Sequence, residues 1–495
     1  MVKTIGVIGA GPGGLAAAMI LSSQGYNVHV FEKKDKIGGR NGRLELGAYS
    51  FDIGPTFLSM PHIMEEIFRM AGRNVHDYMQ LKELSPMYEL QFESDRVPMF
   101  SERDKMLDSI RTYFPGNEHG YERFMKDTRE KMNALMPLLQ TRHHRLRDYV
   151  SVRAIKALPK LSLGKSVYDV LSKYFTDERL KIAFTFQAKY LGMSPWECPG
   201  AFSILSYMEH EYGVFHPMGG VNQLSKAMAE VTKEHGGTIH LSEGVNKLRI
   251  NEKRVKGFEL ESGSQFDADE VIINADFANA MNHLVDDGVL KKYSKQKIAD
   301  KKYSCSTFMI YLGVDKLYDM PHHTIVFAND YKKNVEELTK ELVLSEEPSI
   351  YIQNASVTDE SLAPIGHSSL YVLAPVPNNY SEIDWDAKQK TFRKLILDEV
   401  EKKTGFTDLR EHIVSEKILT PKQWELDYHV HKGATFSLGH QLSQMMYFRP
   451  HNRFQELENC WLVGGGTHPG SGLPTILESS RITTNWIHEA EVRSS

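Results

Sequence analysis

Gly9, Gly11 and Gly14 stand in the spacing G-x-G-x-x-G, and Glu32 follows 23 residues beyond Gly9. These residue types suit a phosphate-linked dinucleotide. The first glycine permits a tight turn, the second lets a pyrophosphate reach the backbone, and the third lets a helix pack close to a strand. The free N–H groups of that helix favour negative charge. A carboxylate at the position of Glu32 accepts hydrogen bonds from ribose hydroxyls and disfavours the additional 2′-phosphate of NADP.

Further glycine clusters follow. "EKKDKIGGR" places Gly38, Gly39 and Arg40 just past Glu32, and "FDIGPT" adds Gly54, Pro55 and Thr56. Glycines let backbone lie along an extended cofactor, and a guanidinium neutralises pyrophosphate charge. Near the other end, "GGGTHPGSGLPT" spans Gly464 to Thr475 and includes Gly465, Gly466, Gly472, Leu473, Pro474 and Thr475. Such a stretch is either a slack tail or backbone wrapped around a ligand. Pro474 suits the first turn of a helix, whose N-terminus favours negative charge.

Other chemistry is sparse. The sequence shows no convincing Ser-His-Asp set and no cysteine nucleophile with a spaced partner. Glu346 and Glu347 sit in polar, loop-like sequence and read as solvated. His468 lies inside the glycine loop, either facing the cofactor or supporting backbone. His429 and His431 alternate as on a strand face, with no further ligand to make a metal site.

The elements needed to position these residues are legible. Residues 4–10, "TIGVIGA", read as a buried parallel strand, 13–24 as a helix and "YNVHVFEK" as a second strand, which makes a βαβ unit rather than a signal peptide. Residues 58–170 read as mostly helical. The segment 215–275 reads as a helix followed by several strands, 303–440 as strands with a helix near 387–403, and "NCWLVGGG" as a strand entering the last glycine loop and a final helix.

The order GxGxxG, Glu32, Gly38-Gly39-Arg40 and Asp52-Ile53-Gly54-Pro55-Thr56 resembles FAD-dependent carotenoid desaturases of the bacterial phytoene-desaturase type. "NCWLVGGGTHPGSGLPTILES" (Asn459 to Ser479) is similar to that family's C-terminal motif, and "HPMGGVNQLSKAMAEV" and "TPKQWELDYHVHKGATFSLG" are similar to two intermediate segments. The middle of the chain most resembles enzymes acting on C30 diapocarotenoids. The resemblance implies an α/β fold, α+β overall. A Rossmann-like FAD-binding domain would be assembled from residues 1–85, 215–300 and 440–495. A mixed α/β domain, 86–214 and 301–439, would bind substrate in an apolar tunnel and associate with membrane. Val245 matches a valine that contacts adenine through its backbone. The implied reaction is hydride transfer from a long polyene to flavin N5, with proton loss from the adjacent carbon.

A polyene resides in a bilayer, so peripheral contact with the inner face of the cell membrane is expected of an otherwise cytoplasmic enzyme. Residues 142–165 hold seven Lys/Arg against one Asp, with apolar residues interleaved. They read either as an interfacial anchor or as a solvated basic face. Composition bounds the rest. The chain has 495 residues, 41% hydrophobic and 25% charged, with a net charge of −5, which argues against an electrostatic nucleic-acid binder. Cys198, Cys305 and Cys460 are too few and too scattered for a disulfide framework or a zinc site. No stretch of about 18 apolar residues suggests a membrane span. Oligomeric state stays open. Competing functions are a terminal-methyl carotenoid oxidase, a non-catalytic FAD- or carotenoid-binding protein and a flavin amine oxidase. Gly466 argues against the last, because amine oxidases usually carry an acid there.

Overall fold

A computed structural model describes residues 2–93, 95–142, 148, 158–162 and 164–492. Short apolar runs make a five-stranded parallel sheet in the order Thr238–His240, Asn27–Phe31, Thr4–Ile8, Glu270–Ile273 and Cys460–Leu462. Val7 lies between Val30 and Ile272, and Ile273 lies between Ile8 and Leu462. The sheet thus joins three distant parts of the chain. The helix Pro12–Ser23 opens with proline in its first turn and buries Ala16, Ala17 and Ala18 completely. Those small side chains let it fit between the helices Asn222–Glu234 and Leu473–Val492.

A three-stranded antiparallel sheet, Val245–Asn251, Arg254–Leu260 and Gln265–Asp267, lies beside this core. A seven-stranded sheet carries the other half of the molecule. Its order is Ile413–Leu419, Ser306–Val314, Ser368–Val376, Ile350–Asn354, His323–Val326, Tyr88–Gln91 and Arg96–Met99. Every residue of Ser306–Val314 is buried. The helix Trp385–Thr404 covers one face, setting Trp385 and Phe392 against Phe308. The helices Glu118–Leu139 and Ile204–Tyr212 pack together as a separate apolar wall.

The structure adds to one expectation and changes two. Residues 58–170 are chiefly helical, in Pro61–Met70, Arg103–Tyr113 and Glu118–Leu139, but they also hold the strands Leu58–Ser59, Leu81–Glu83, Tyr88–Gln91 and Arg96–Met99, the last two extending the large sheet. Each is four residues or fewer, too short for its alternation to stand out. His429 and His431 do not share a strand face. His429 caps the helix Pro421–Tyr428 in the left-handed conformation (φ +53°), and His431 begins the turn His431–Gly433. Glu347 is not merely solvated, because it accepts from the Asn329 amide and pairs with Lys403 at 3.1 Å. Most of the basic stretch 142–165 lies outside the described residues, although Arg142 pairs with Glu489 and Lys160 with Glu130. Among the described residues, no helix is long and apolar enough to cross a membrane.

Candidate functional site: a dinucleotide cradle continued by an apolar slot

The N-terminal glycine turn is built as its sequence demands. Gly9 takes φ +96°, and its N–H donates to Phe31 O at 2.8 Å. A Cβ on Gly14 would stand 2.2 Å from Gly9 O, so only glycine lets the helix approach the strand this closely. Glu32 is nearly buried. One carboxylate oxygen accepts from the Ala10 amide at 2.9 Å and the other from the Lys34 amide at 2.9 Å. These bonds fix the carboxylate at the mouth of the turn, and each oxygen keeps a lone pair for a hydroxyl donor.

The C-terminal loop is anchored rather than slack. Arg449 is fully buried, and its guanidinium donates to Gly465 O at 2.6 Å and Thr467 O at 3.1 Å. Burial lowers its pKa to about 10, which still leaves it charged at neutral pH. Ser479 Oγ accepts from the Gly464 amide at 3.2 Å, and Ser480 Oγ donates to Gly13 O at 2.7 Å across 467 residues of sequence. Between the two loops stands Asn274, just past the strand Glu270–Ile273. Its amide donates to Gly9 O at 3.1 Å, and its Oδ1 would lie 2.6 Å from a Cβ on Gly13 and 3.1 Å from one on Gly464.

The segment after Arg40 is braced from the large sheet. Tyr311 donates to Ile53 O at 2.7 Å, Tyr371 donates to Gly54 O at 2.9 Å, and Tyr351 Oη lies 2.6 Å from Thr56 Oγ1. Burial pushes all three phenols far above their usual range, so they remain protonated donors. Arg40 donates to Thr435 O at 2.7 Å, which ties this segment to the loop that follows His431.

One cavity of about 930 Å³ unites these parts. It lies at the upper end of the roughly 300–1,000 Å³ usual for small-molecule sites. Every cofactor-site residue named from sequence lines it except Gly14, whose place is behind the turn, packing helix on strand. Val245 lines it near Glu32, and Leu473, Pro474 and Thr475 present the first turn of the last helix to it. The glycine-lined part fits an extended dinucleotide, since added Cβ atoms would fill the cradle at Gly11, Gly13 and Gly54, each under 3.0 Å from a neighbouring atom. His468 is not part of the cavity wall. Its ring bonds Thr141 O at 3.2 Å and its amide donates to Pro450 O, which is backbone support.

Beyond the glycine loops the wall turns apolar. Met132 and Met136, then Phe186, Leu191, Leu205 and Met208, line a slot between the helical wall and the large sheet. Lys189 lies in this wall 4.5 Å from the Tyr331 ring centroid, and burial lowers its pKa to about 7. Glu209 also lines the slot and accepts from Tyr88 Oη and Gln187 Nε2, each at 2.9 Å. Gly466 lies against Phe277, where a Cβ would come within 2.6 Å, so no acidic side chain fits at that place.

Sequence reading missed Asn274, Arg449 and the three bracing tyrosines. Only "VIINAD" held a signal, an asparagine directly after a buried strand. Gly472 has φ +112°, a backbone conformation costly for a branched residue, by about 1–3 kcal/mol. Gly472→Val is therefore expected to weaken FAD retention roughly 5- to 150-fold, measured as flavin content after gel filtration and by flavin titration of the stripped protein. Unchanged retention would contradict the wrapped-loop geometry.

The chain matches the family model for flavin-containing amine oxidoreductases over residues 12–485. It is 50% identical to a 4,4'-diapophytoene desaturase (4,4'-diapolycopene-forming) of Methylomonas sp, covering 98% of this chain and 95% of that one. It is 36% identical to an all-trans-zeta-carotene desaturase of Myxococcus xanthus, covering 98% and 93%. In fold it resembles a putrescine oxidase variant with a TM-score of 0.66 at 13% identity, covering all of both chains. FAD is accordingly the dinucleotide that the cradle holds. The chain belongs to the flavin-containing amine oxidoreductase family, as an FAD-dependent oxidoreductase of carotenoid-desaturase type.

Proposed function

We propose that this desaturase acts on a linear C30 polyene of the diapophytoene class and introduces conjugated C=C bonds. The apolar slot that continues from the cofactor cradle carries this reading, because a hydrocarbon has no polar group for a protein to grip. FAD, when bound, supplies the acceptor for the hydride. The chain's own residues do the remainder. Glu32 and the glycine turns place the cofactor's adenosine end. The tyrosine-braced segment Ile53–Thr56 sets the wall where slot and cradle meet. Methionine, leucine and phenylalanine side chains exclude water, which suppresses side reactions. The identity shared with the Methylomonas relative favours the C30 class.

The test is expression in cells that make diapophytoene and, separately, in cells that make phytoene. Pigments gaining conjugation without oxygen in the first strain are the expected result. Oxygen added at chain ends, or unchanged polyene in both strains with FAD bound, would overturn the reading.

Peripheral membrane contact belongs to the same proposal. Its support is the basic, apolar-interleaved stretch 142–165 and the bilayer residence of the substrate. Tryptophan quenching with anionic vesicles should report binding that neutralising Arg145, Arg147, Arg153 and Lys156 weakens at least several-fold. Equal binding by that variant would remove the anchor.

A further inference from the structure

Behind the cofactor end of the cavity lies a buried polar cluster. Thr56 lines the cavity, and its Oγ1 is 2.6 Å from Tyr351 Oη, which is 2.7 Å from His323 Nδ1. His323 is 2% exposed, and its Nε2 has no hydrogen-bond partner among the described residues. The His322 ring lies 4.4 Å from that of His323, and the His216 ring 4.7 Å from that of His322. His216 Nε2 bonds Asp359 Oδ2 at 3.1 Å, and its Nδ1 is also unpartnered. Gln353 Nε2 donates to His322 Nε2 and to Thr56 O, each at 3.2 Å, so His322 carries its proton on Nδ1, facing Thr358 Oγ1 at 2.8 Å.

This arrangement is more than packing. Polar groups are costly to bury, and unpaired ones cost the most. Here a line of three exchangeable sites runs from the cavity wall to an orphaned imidazole. We propose that Thr56, Tyr351 and His323 form the proton-accepting relay of the reaction. A proton leaving the polyene passes to Thr56 Oγ1, and shifts of the two hydroxyl protons deliver a proton to His323 Nδ1. The inference rests on the desaturase reading.

The balance is complete within the named parts. One C–H bond breaks with its electron pair leaving as hydride to the flavin. The neighbouring C–H bond breaks with its electrons kept to form the C=C bond, and that proton enters the relay. The resting state must have a neutral acceptor. Burial, then the charge of His216, lowers the His323 pKa to about 3, so the ring is neutral when substrate arrives. A weak base suffices, because a C–H beside a carbon losing hydride is strongly acidic. The ionisable groups around the cluster are His216, His322, Asp52, Asp359 and Lys82. The Asp359 carboxylate, held below its usual range chiefly by the His216 hydrogen bond against the opposing effect of burial, and the Asp52 carboxyl, raised to about 6 by burial, flank His216. Their negative charge favours the transient imidazolium.

Two measurements test the relay. In FAD-free protein labelled with ¹⁵N-histidine, His323, assigned by its loss in His323→Gln, should carry its proton on Nε2 and leave Nδ1 free to accept. A proton on Nδ1 would overturn the relay, because that ring donates to Tyr351 and accepts nothing from it. In FAD-loaded protein mixed with diapophytoene, Tyr351→Phe should keep its flavin content, slow flavin reduction at least tenfold and abolish the solvent deuterium isotope effect. Reduction within threefold of the unaltered protein, or an isotope effect that persists in the variant, would overturn it. Because the unaltered protein is the reference throughout, such a result leaves the desaturase reading standing.

Discussion

One side chain at the end of one strand holds the site together. Asn274 follows the strand Glu270–Ile273 and touches both glycine loops, donating to Gly9 O and abutting Gly13 and Gly464. The parallel register forces this meeting, because Ile273 pairs with Ile8 on one side and Leu462 on the other. Ligands of open α/β sheets bind outside the carboxyl ends of the strands. Here the strands that end there come from the beginning, middle and end of the chain. The glycines are needed because three backbones converge where Cβ atoms would collide.

The large sheet supplies the second half of the design. Its tyrosines reach the segment Ile53–Thr56 and pin carbonyls that would otherwise be buried without donors. Cradle and slot therefore form one cavity, with their shared wall fixed by phenol hydrogen bonds. Hydride acceptance belongs to the cofactor, and this shared wall serves alignment and exclusion of water.

The sequence made the cradle legible because its chemistry is local. Gly9, Gly14 and Glu32 each answer a demand set within one βαβ unit, and the structure places them accordingly. The loop Gly464–Thr475 was legible as glycine-rich but not as anchored, because Arg449 and Ser479 hold it, and Ser480 ties the helix after it to Gly13, through bonds that no spacing announces. The same is true of Tyr311, Tyr351 and Tyr371, whose partners lie about three hundred residues away. Missing the short strands inside the chiefly helical segment 58–170 has a plain cause. Tyr88–Gln91 and Arg96–Met99 are strands because a distant sheet edge accepts them, and four residues carry too little periodicity to say so. His429 shows the limit of pattern in the other direction: its alternation with His431 is real in sequence and cancelled by a left-handed helix cap.

The central claim is that cofactor and polyene share one cavity and exchange electrons directly. The most direct measurement mixes FAD-loaded protein with diapophytoene in vesicles without oxygen, following flavin absorption and product mass together. Loss of flavin colour matched one-for-one by new double bonds, with no oxygen in the product, is the predicted result. Polyene that binds while the flavin stays oxidised would contradict it.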